Sequence, residues 1–344
     1  MCTDIKIKSN RGDIVVGRTM EYAFQLNDHL SAFEKGKSFE VLDPDGNVSL
    51  SWKGKHSFMA IHPQVLGTLN YENGIYDAIN EKGLSIEALL FRFADYGEVS
   101  LDEQRPLVPI DGLILWLISN FETVSEVKEN LTKIKVWAEN KIYLGNTKPE
   151  FHFAIHDITG VSIVVEFING GELKIHDNEA CTVTNNPTYD WHLHNLKNYF
   201  TLSPYTTTEM VINDVEYKSL SQGNGLVGIP GDYSSPSRFV KMAYLNNFKK
   251  EIESSKDAVL FASQCLNNVE IPIGSVRNKI VKENKLIDMY EKTEWKIIKN
   301  FSDQELYVSA YGSLGYVKVD LNSVWENPSS FISKKMIDYI SQNI

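Results

Sequence analysis

Alternation of apolar and polar residues predicts strands in several parts of the chain. Thr3–Lys8 alternates, Asn10–Asp13 has the composition of a turn, and Ile14–Val16 returns as a second apolar run. A Thr159-Gly160 turn between two further apolar runs predicts another hairpin. The same criteria predict strands at residues 58–61, 84–91, 151–156, 161–167, 306–310 and 316–321.

Helical periodicity occurs in neighbouring pairs of segments. Pro109–Asn120 is mostly apolar and Val124–Ile134 is amphipathic, and a later pair covers Arg238–Phe248 and Asp257–Leu266. Strands in hairpins and helices in pairs favour an α+β fold with antiparallel sheets over a doubly wound fold. The irregular stretch Thr201–Ser235 is longer than is usual for a loop without a functional role, so it could contribute to a site.

Composition narrows the possible partners. The chain has 344 residues, of which 42% are hydrophobic and 23% charged, so it can bury a sizeable core. A net charge of −11 argues against binding to nucleic acid or to anionic membranes. No apolar run approaches the roughly 18 residues of a membrane span, and the first ten residues are too polar for a secretion signal.

Cysteine and glycine patterns exclude several kinds of site. The three cysteines, Cys2, Cys181 and Cys265, show no CxxC spacing, which predicts neither disulfides nor a zinc site and favours the cytoplasm. Gly223–Gly228 matches GxGxxG, but the proline that follows it blocks a helix, so we interpret it as a loop. The histidines His152, His156, His192 and His194 are predicted to be structural.

The second residue offers the clearest candidate chemistry. If Met1 is removed, Cys2 carries a thiol nucleophile and a free α-amine on one residue. An α-amine can be the base for such a nucleophile, and its ordinary pKa of about 7.7–8.0 suits that task. Cysteine is small, which favours removal of the preceding methionine. A lipid-anchored cysteine, the alternative, needs an apolar segment before it.

Three further segments carry suitable groups. Gly17–Tyr22 places a cation and a carboxylate after the first hairpin, Thr184–Pro187 offers an amide donor for an oxyanion, and Ser234–Val240 puts an arginine near a helix start. Taken singly, these segments are better explained as an ordinary surface ion pair, an Asx turn and a helix cap. Their joint occurrence with Cys2, in this order, is far more specific.

Together with Asn80–Leu84, these segments resemble the choloylglycine hydrolase family, which comprises bile salt hydrolases and penicillin V acylases. The similarity extends over nearly the whole chain and includes Ala23–Leu26, Asp190–His192, Gly228–Asp232 and Ile271–Gly274. The resemblance implies an N-terminal-nucleophile (Ntn) hydrolase with a four-layer α-β-β-α sandwich of antiparallel sheets. It further implies one domain over residues 2–344, a homotetramer, and no metal or cofactor.

The resemblance also assigns roles to individual residues. Cys2 matches the nucleophile, Arg18 the arginine that favours its thiolate, and Arg238 the arginine that supports the charge network. Asn185 matches the side-chain oxyanion donor, and the Leu90 backbone N–H can be the second donor. Asn80 matches a family motif and has a structural or supporting role. Apart from the resemblance, the candidates for lining an apolar acyl pocket are Met20, Tyr22, Phe24, Ile61 and Phe91, each of which is also consistent with an ordinary core position.

Two positions depart from the family pattern. Glu21 stands where the family usually has aspartate, and an extra methylene moves a carboxylate by roughly 1 Å, which can lower a rate by about 10²-fold if uncompensated. Leu90 stands where bile salt hydrolases have asparagine and penicillin V acylases often have tyrosine. Its side chain argues mildly against a dedicated bile salt hydrolase.

The predicted activity is hydrolysis of a linear, non-peptide carbon–nitrogen bond in a small acyl amide, through a thioester on Cys2. A penicillin V acylase-like substrate is the first prediction. A conjugated bile salt and an acyl-homoserine lactone are the alternatives within this class. From another class, the chain could be an inactive relative that binds acyl amides, an alternative that Glu21 keeps open.

Overall fold

Strands account for most of the regular structure in the computed structural model, which describes residues 1–63, 74–100, 102–141, 146–282 and 285–343. The strands are β1 (Cys2–Lys8), β2 (Ile14–Tyr22), β3 (His29–Phe33), β4 (Ser38–Leu42), β5 (Val48–Lys53), β6 (Phe58–His62), β7 (Asp77–Asn80), β8 (Leu84–Leu90), β9 (Leu107–Pro109), β10 (Lys135–Trp137), β11 (Phe151–Asp157), β12 (Ser162–Ile168), β13 (Glu172–Asp177), β14 (Thr182–Val183), β15 (Glu209–Ile212), β16 (Val215–Lys218), β17 (Val276–Lys282), β18 (Lys285–Asn300), β19 (Glu305–Ala310), β20 (Val317–Asp320) and β21 (Lys334–Lys335). The helices are α1 (Ile110–Asn120), α2 (Val124–Leu131), α3 (Tyr189–Leu196), α4 (Ser235–Asn247), α5 (Ser255–Asn267), α6 (Leu321–Glu326) and α7 (Met336–Asn343).

The first sheet contains the N-terminus. Its strand order is β14-β1-β2-β18-β19-β20, with β17 paired to β18, and all of these pairings are antiparallel. β1 and β2 form the predicted hairpin, in which Cys2 lies opposite Met20 and Asp4 opposite Arg18. The hairpin therefore brings the first cysteine and the first arginine of the predicted site together.

The second sheet has the order β13-β12-β11-β8-β7-β6-β3-β21 and is also antiparallel. It contains the second predicted hairpin, β11–β12, and the pair β7–β8, in which Asp77 lies opposite Glu87. Most residues of β6, β7 and β8 are buried, as expected for strands covered on both faces.

Within the described ranges, three buried apolar clusters separate four layers. The first lies between α1–α2 and the second sheet, the next between the two sheets, and the third between the first sheet and α4–α5. Alternation along β1 explains the division, since Ile5 and Ile7 belong to the third cluster whereas Cys2 belongs to the one between the sheets. The predicted α+β, α-β-β-α sandwich is confirmed.

Several elements differ from the prediction. Residues 201–235, interpreted as irregular, contain the hairpin β15–β16, whose residues are exposed on both faces and therefore give no alternating signal. β18 was not predicted because its first half is largely exposed and its second half is buried on both faces. No helix within the described ranges combines the length and apolar character needed to cross a bilayer.

Candidate active site

Cys2 lies at the start of β1 and is buried between the two sheets. Its Sγ atom is 3.7 Å from Arg18 Nη2 and 3.7 Å from Met20 Sδ. Met1 is paired with Glu21, since its amine donates to the Glu21 carbonyl at 2.7 Å and its carbonyl accepts from the Glu21 N–H at 2.8 Å. The nitrogen of Cys2 is therefore part of a peptide bond here. Removal of Met1 would turn this nitrogen into a free α-amine.

Arg18 provides a fixed positive charge beside the thiol. Its fully buried guanidinium donates to the carbonyls of Tyr76 and Ala88 and to Asp77 Oδ2, the last at 3.2 Å. Burial by itself lowers the pKa of Arg18, but the charges of Cys2 and Asp77 raise it above its ordinary value. A cation held this firmly at 3.7 Å from sulfur stabilises a thiolate.

Asn185 follows β14 and connects the nucleophile to α4. Its Oδ1 accepts from the Cys2 N–H at 3.0 Å and from Arg238 Nη2 at 2.7 Å. Its Nδ2 donates to the Leu90 carbonyl at 2.7 Å. Because Oδ1 faces two donors, the amide is oriented with its N–H group on the Leu90 side, where it can donate to a developing oxyanion.

Arg238 holds the start of β1 in place. Its Nη1 donates to the Cys2 carbonyl and, at 2.6 Å, to Thr3 Oγ1, while its Nε donates to the Tyr233 carbonyl at 2.9 Å. Burial lowers the pKa of Arg238, and the charges of Glu21 and Cys2 oppose that effect. The side chain therefore links β1, the Asn185 amide and the first turns of α4.

Glu21 has a fully buried carboxyl group with one unused oxygen. Its Oε1 accepts from Thr293 Oγ1 at 3.2 Å, and its Oε2 has no hydrogen-bond partner among the described residues. Burial raises the pKa of Glu21, although Arg238 and the N-terminal amine lower it. A buried acceptor of this kind is suited to hold an ammonium group close by.

Glu21→Gln is expected to make the protein more stable at alkaline pH and less active. The folded-state pKa of Glu21 lies above the ordinary value of 4.5, so its ionised form destabilises the fold, and this effect appears as pH rises through that pKa. The difference in thermal unfolding between the variant and the wild type should vanish below the ordinary glutamate pKa of 4.5 and grow as pH rises above that value. A wild type that unfolds at the higher temperature at alkaline pH would contradict this assignment.

The Leu90 backbone faces Asn185 rather than the neighbouring strand. The Phe91 N–H donates to the Glu150 carbonyl at 2.8 Å, so the hydrogen bonds to β11 are made by the residues that flank Leu90. In a strand, the N–H and C=O of one residue point to the same side. The Leu90 N–H therefore lies on the side where its carbonyl accepts from Asn185.

Asn80 lies at the turn between β7 and β8, where it joins that turn to α1. Its Nδ2 donates to the carbonyls of Ile118 and Phe121 at 2.9 and 2.8 Å. Its Oδ1 accepts from the N–H groups of Lys82 and Leu84 at 3.0 and 3.1 Å. These contacts support a structural role.

Asn80→Ala is expected to lower the free energy of unfolding by about 2–4 kcal/mol, because it leaves two buried carbonyls and two N–H groups without their partner. The kcat of the folded variant should stay within a few-fold of wild type. Chemical denaturation and steady-state kinetics check the two parts separately. A large loss of kcat at full occupancy of the folded state would place Asn80 in the chemistry instead.

The residues predicted to line the pocket differ in exposure. Met20 and Ile61 are buried in the same cluster as the nucleophile. Tyr22 and Phe24 are 44% and 53% exposed, and their rings meet edge to face at 5.8 Å. Phe91 is fully buried and stacks on His152 at 4.6 Å. A binding pocket formed by all five residues stays a prediction.

Two residues position Asn185 through contacts that the sequence did not predict, although it did predict a structural role for His192. His192 Nε2 donates to the Asn185 carbonyl at 2.9 Å, and its ring stacks on Phe239 at 4.5 Å. Ser235 Oγ accepts from the Asn185 N–H at 2.8 Å. Burial lowers the pKa of His192 to about 4, consistent with a neutral, structural ring. Both residues belong to segments that carried the family resemblance, so their presence there was the available signal.

Two interpretations made from the sequence agree with the structure. His152 Nδ1 lies 3.3 Å from Glu166 Oε1, and its Nε2 lies 3.1 Å from the Thr184 carbonyl, contacts of a structural histidine. The Gly223–Gly228 motif lies in a loop with a short 3₁₀ turn at Asn224–Leu226. The motif is therefore not a dinucleotide fingerprint, which requires a strand before it and a helix after it.

Comparisons with known proteins agree with the fold. A family model described as "Linear amide C-N hydrolases, choloylglycine hydrolase family" matches residues 2–324. Bile salt hydrolase/transferase from Clostridium perfringens is 31% identical over 294 residues, which cover 84% of each chain. The fold and the buried cysteine at position 2 define an Ntn-type hydrolase. The chain belongs to the choloylglycine hydrolase family, whose members are hydrolases of linear amide carbon–nitrogen bonds.

Solved structures show the same architecture. A variant of conjugated bile acid hydrolase from Clostridium perfringens superposes with a TM-score of 0.78 at 27% identity, covering 94% of this chain and 93% of that one. Penicillin V acylase from Agrobacterium tumefaciens gives a TM-score of 0.71 at 19% identity, covering 94% and 87%. The second similarity is one of fold alone.

Proposed function

We propose that this hydrolase cleaves small acyl amides with Cys2 as its nucleophile, after Met1 has been removed. One observation carries the proposal. The Cys2 thiol and backbone lie within a single buried shell that contains a fixed cation, an oriented amide and a carboxyl group with a free oxygen, contributed by Arg18, Asn185 and Glu21. These are the groups that thiol-based acyl transfer requires.

The first half of the reaction forms a thioester. The α-amine of Cys2 takes the thiol proton, and the sulfur attacks the amide carbonyl carbon to form a C–S bond. The oxyanion accepts from Asn185 Nδ2 and from the Leu90 N–H. Collapse of this intermediate breaks the C–N bond as the ammonium returns its proton to the leaving nitrogen. The amine product departs, and the acyl group stays on Cys2.

The second half of the reaction releases the acid. The α-amine takes a proton from water, whose oxygen attacks the thioester carbonyl carbon. The C–S bond then breaks as the ammonium returns its proton to sulfur, which regenerates the thiol and the free amine. Glu21 Oε2 is the acceptor that would hold the ammonium while the tetrahedral intermediate exists in each half of the reaction. Arg238, which contacts both the Cys2 carbonyl and Asn185, keeps nucleophile and oxyanion donor in one geometry.

Two substrate classes have specific support. The exposed ring pair Tyr22–Phe24, at and just after the end of β2, the strand that carries Arg18, favours an aromatic acyl group, such as the phenoxyacetyl group of penicillin V. A conjugated bile salt is the second candidate, supported by the similarity to the Clostridium perfringens enzyme. Leu90 weighs against the bile salt, as its apolar side chain replaces the asparagine expected there.

The test compares hydrolysis of penicillin V, a glycine-conjugated bile acid and an acyl-homoserine lactone by protein whose intact mass shows loss of Met1. We expect penicillin V to have the highest kcat/KM. A higher value for the bile acid would reverse the order of the two candidates. Binding of all three without hydrolysis, by fully trimmed protein, would contradict the enzymatic proposal and favour the inactive relative.

We also infer that the protein works as a homotetramer. The hairpin β15–β16 has an uncovered apolar face, with Met210 opposite Tyr217 and Ile212 opposite Val215, all about half exposed. An isolated two-stranded hairpin is only marginally stable in water, so further copies of the chain are suitable partners for this face.

Light scattering coupled to size exclusion should give the mass of four chains for the wild type. Replacing Met210 and Tyr217 together with lysine should lower that mass, because two charges would have to be buried in the interface. Leu314→Lys, on a separate exposed turn, is the matched control and should leave the mass unchanged. A monomeric wild type would contradict the inference.

A further inference from the structure

A chain of buried charges leads away from Arg18 through the space between the sheets. Arg18 Nη1 donates to Asp77 Oδ2 at 3.2 Å, and Lys299 Nζ lies 2.5 Å from Asp77 Oδ1. Lys299 also contacts Glu87 Oε1 and donates to Ser85 Oγ at 2.7 Å. All five side chains are nearly or fully inaccessible to solvent. Asp77 therefore shares its single negative charge between two cations.

The chain of charges continues beyond Glu87. His156 Nε2 lies 3.5 Å from Glu87 Oε2 and 3.1 Å from Asp4 Oδ1. His156 Nδ1 is 2.8 Å from Ser162 Oγ, which fixes the ring. Every residue in this extension is buried, so its charges interact through protein rather than through water.

Lys299 is the cation that offsets the repulsion between the buried carboxylates of Asp77 and Glu87. β7 and β8 place Asp77 directly opposite Glu87, and two carboxylates so close in a buried space strongly oppose each other. Burial lowers the pKa of Lys299, but the two carboxylates more than reverse this effect, so its pKa is raised. The ammonium of Lys299 therefore stays charged between them.

We propose that Lys299 is a positioning residue for the Cys2 nucleophile, acting through Asp77 to keep the charge of Arg18 available to the sulfur. This inference rests on the proposed role of Cys2. Without Lys299, two carboxylates would face Arg18 as their remaining close cation. They would draw the guanidinium toward themselves and oppose a negative charge on the thiol.

A metal ion is the competing explanation for part of this cluster. The ligand atoms of Asp4, Glu87 and His156 lie within 4.8 Å of one another. Asp4 Oδ2 has no hydrogen-bond partner among the described residues, and the 3.1 Å approach of His156 is the contact of Oδ1. Lys299 already supplies a positive charge to Glu87, which argues against a divalent cation at the same carboxylate. Elemental analysis of the purified protein separates the two explanations.

The experiment measures how fast iodoacetamide alkylates Cys2 as a function of pH, read by mass spectrometry of the N-terminal peptide in Met1-trimmed protein. Lys299→Met should move the midpoint of this profile upward by roughly one pH unit, since a positive charge is lost from the network. Lys299→Arg should restore it. Lys296→Met is the matched control, since Lys296 lies on the same strand but pairs with Glu270, a partly exposed residue.

Glu87→Gln tests the direction in which the alkylation midpoint moves. This test is independent of whether Lys299→Met folds. Removing a negative charge beside Lys299 should move the alkylation midpoint downward. The other charged or titratable groups of the network are unchanged in this variant: Asp77, which contacts Lys299, Arg18, which contacts Asp77, His156, which contacts Glu87, and Asp4, which contacts His156.

Two results would overturn the inference. One is an unchanged midpoint in folded Lys299→Met or in Glu87→Gln. The other is one equivalent of a divalent metal in the wild type, which would make the metal the organising cation. Alkylation needs no substrate, so the two hypotheses can fail separately. If the alkylation midpoints shift as expected but no amide is hydrolysed, the proposed function is contradicted and the inference about Lys299 is supported.

Discussion

Replacing Cys2 with alanine is expected to lower kcat by about 10⁴-fold or more, the range seen when a covalent nucleophile is lost. The thiol is the group that attacks the amide carbonyl and carries the acyl intermediate. Arg18, Asn185 and Arg238 are all arranged around this residue, so no neighbouring side chain in the shell can replace it. Steady-state rates with the preferred substrate measure the effect.

Cys181→Ala is the control for this variant, because Cys181 is a free and partly exposed thiol outside the shell around Cys2. It should keep wild-type kinetics. Alanine at position 2 is also small enough to permit removal of Met1, so the two proteins can be compared with the same processed N-terminus. Activity of Cys2→Ala within tenfold of wild type would refute the mechanism.

Asn185→Asp should lower kcat by about 10²–10³-fold with little change in KM, as for loss of one oxyanion donor. The carboxylate keeps an acceptor for Arg238 Nη2, and so preserves the local structure. What it loses is the N–H group on the Leu90 side. A negative charge there also opposes the oxyanion, which adds to the loss.

Asn186→Asp is the matched control because it makes the same chemical change at the adjacent residue. Asn186 Oδ1 accepts from the Arg92 N–H at 2.9 Å, a contact that aspartate preserves. Its kcat should stay close to wild type. Equal losses in the two variants would show that added charge near this loop, rather than a missing donor at Asn185, slows the reaction.

Much of the fold follows from local patterns in the sequence. β1, β2, β11 and β12 bury at least one face and are bounded by turn residues, so alternation and turn chemistry predict them. Pairs of strands and pairs of helices then indicate an α+β class. A single domain over residues 2–344 and a cytoplasmic location stay predictions.

The residues of the site likewise include some that the sequence indicates and some that it does not. Cys2, Arg18, Asn185 and Arg238 stand in segments specific enough to carry a family resemblance, and the structure brings them together. Lys299 gave no such signal, because a lysine in a strand is usually solvent-exposed. Its partner Glu87 lies 212 positions away along the chain, so only the stacking of the two sheets reveals the contact.

The substrate is harder to predict because it depends on side chains that can also be ordinary core residues. Met20 and Ile61 are buried in the apolar cluster between the sheets, and burial alone does not distinguish a pocket wall from a core position. Glu21 and Leu90 differ from the family pattern, but neither difference by itself identifies a substrate. Kinetic measurements on defined substrates are therefore more informative about the substrate than the sequence is.

The most direct test of Cys2 as an N-terminal nucleophile is mass spectrometry of the intact protein during turnover, followed by mapping of the acyl group. We predict that active protein lacks Met1 and that rapid acid quenching traps the acyl group on the sulfur of Cys2. Full activity in protein that retains Met1, or an acyl group bound to any other residue, would contradict the mechanism.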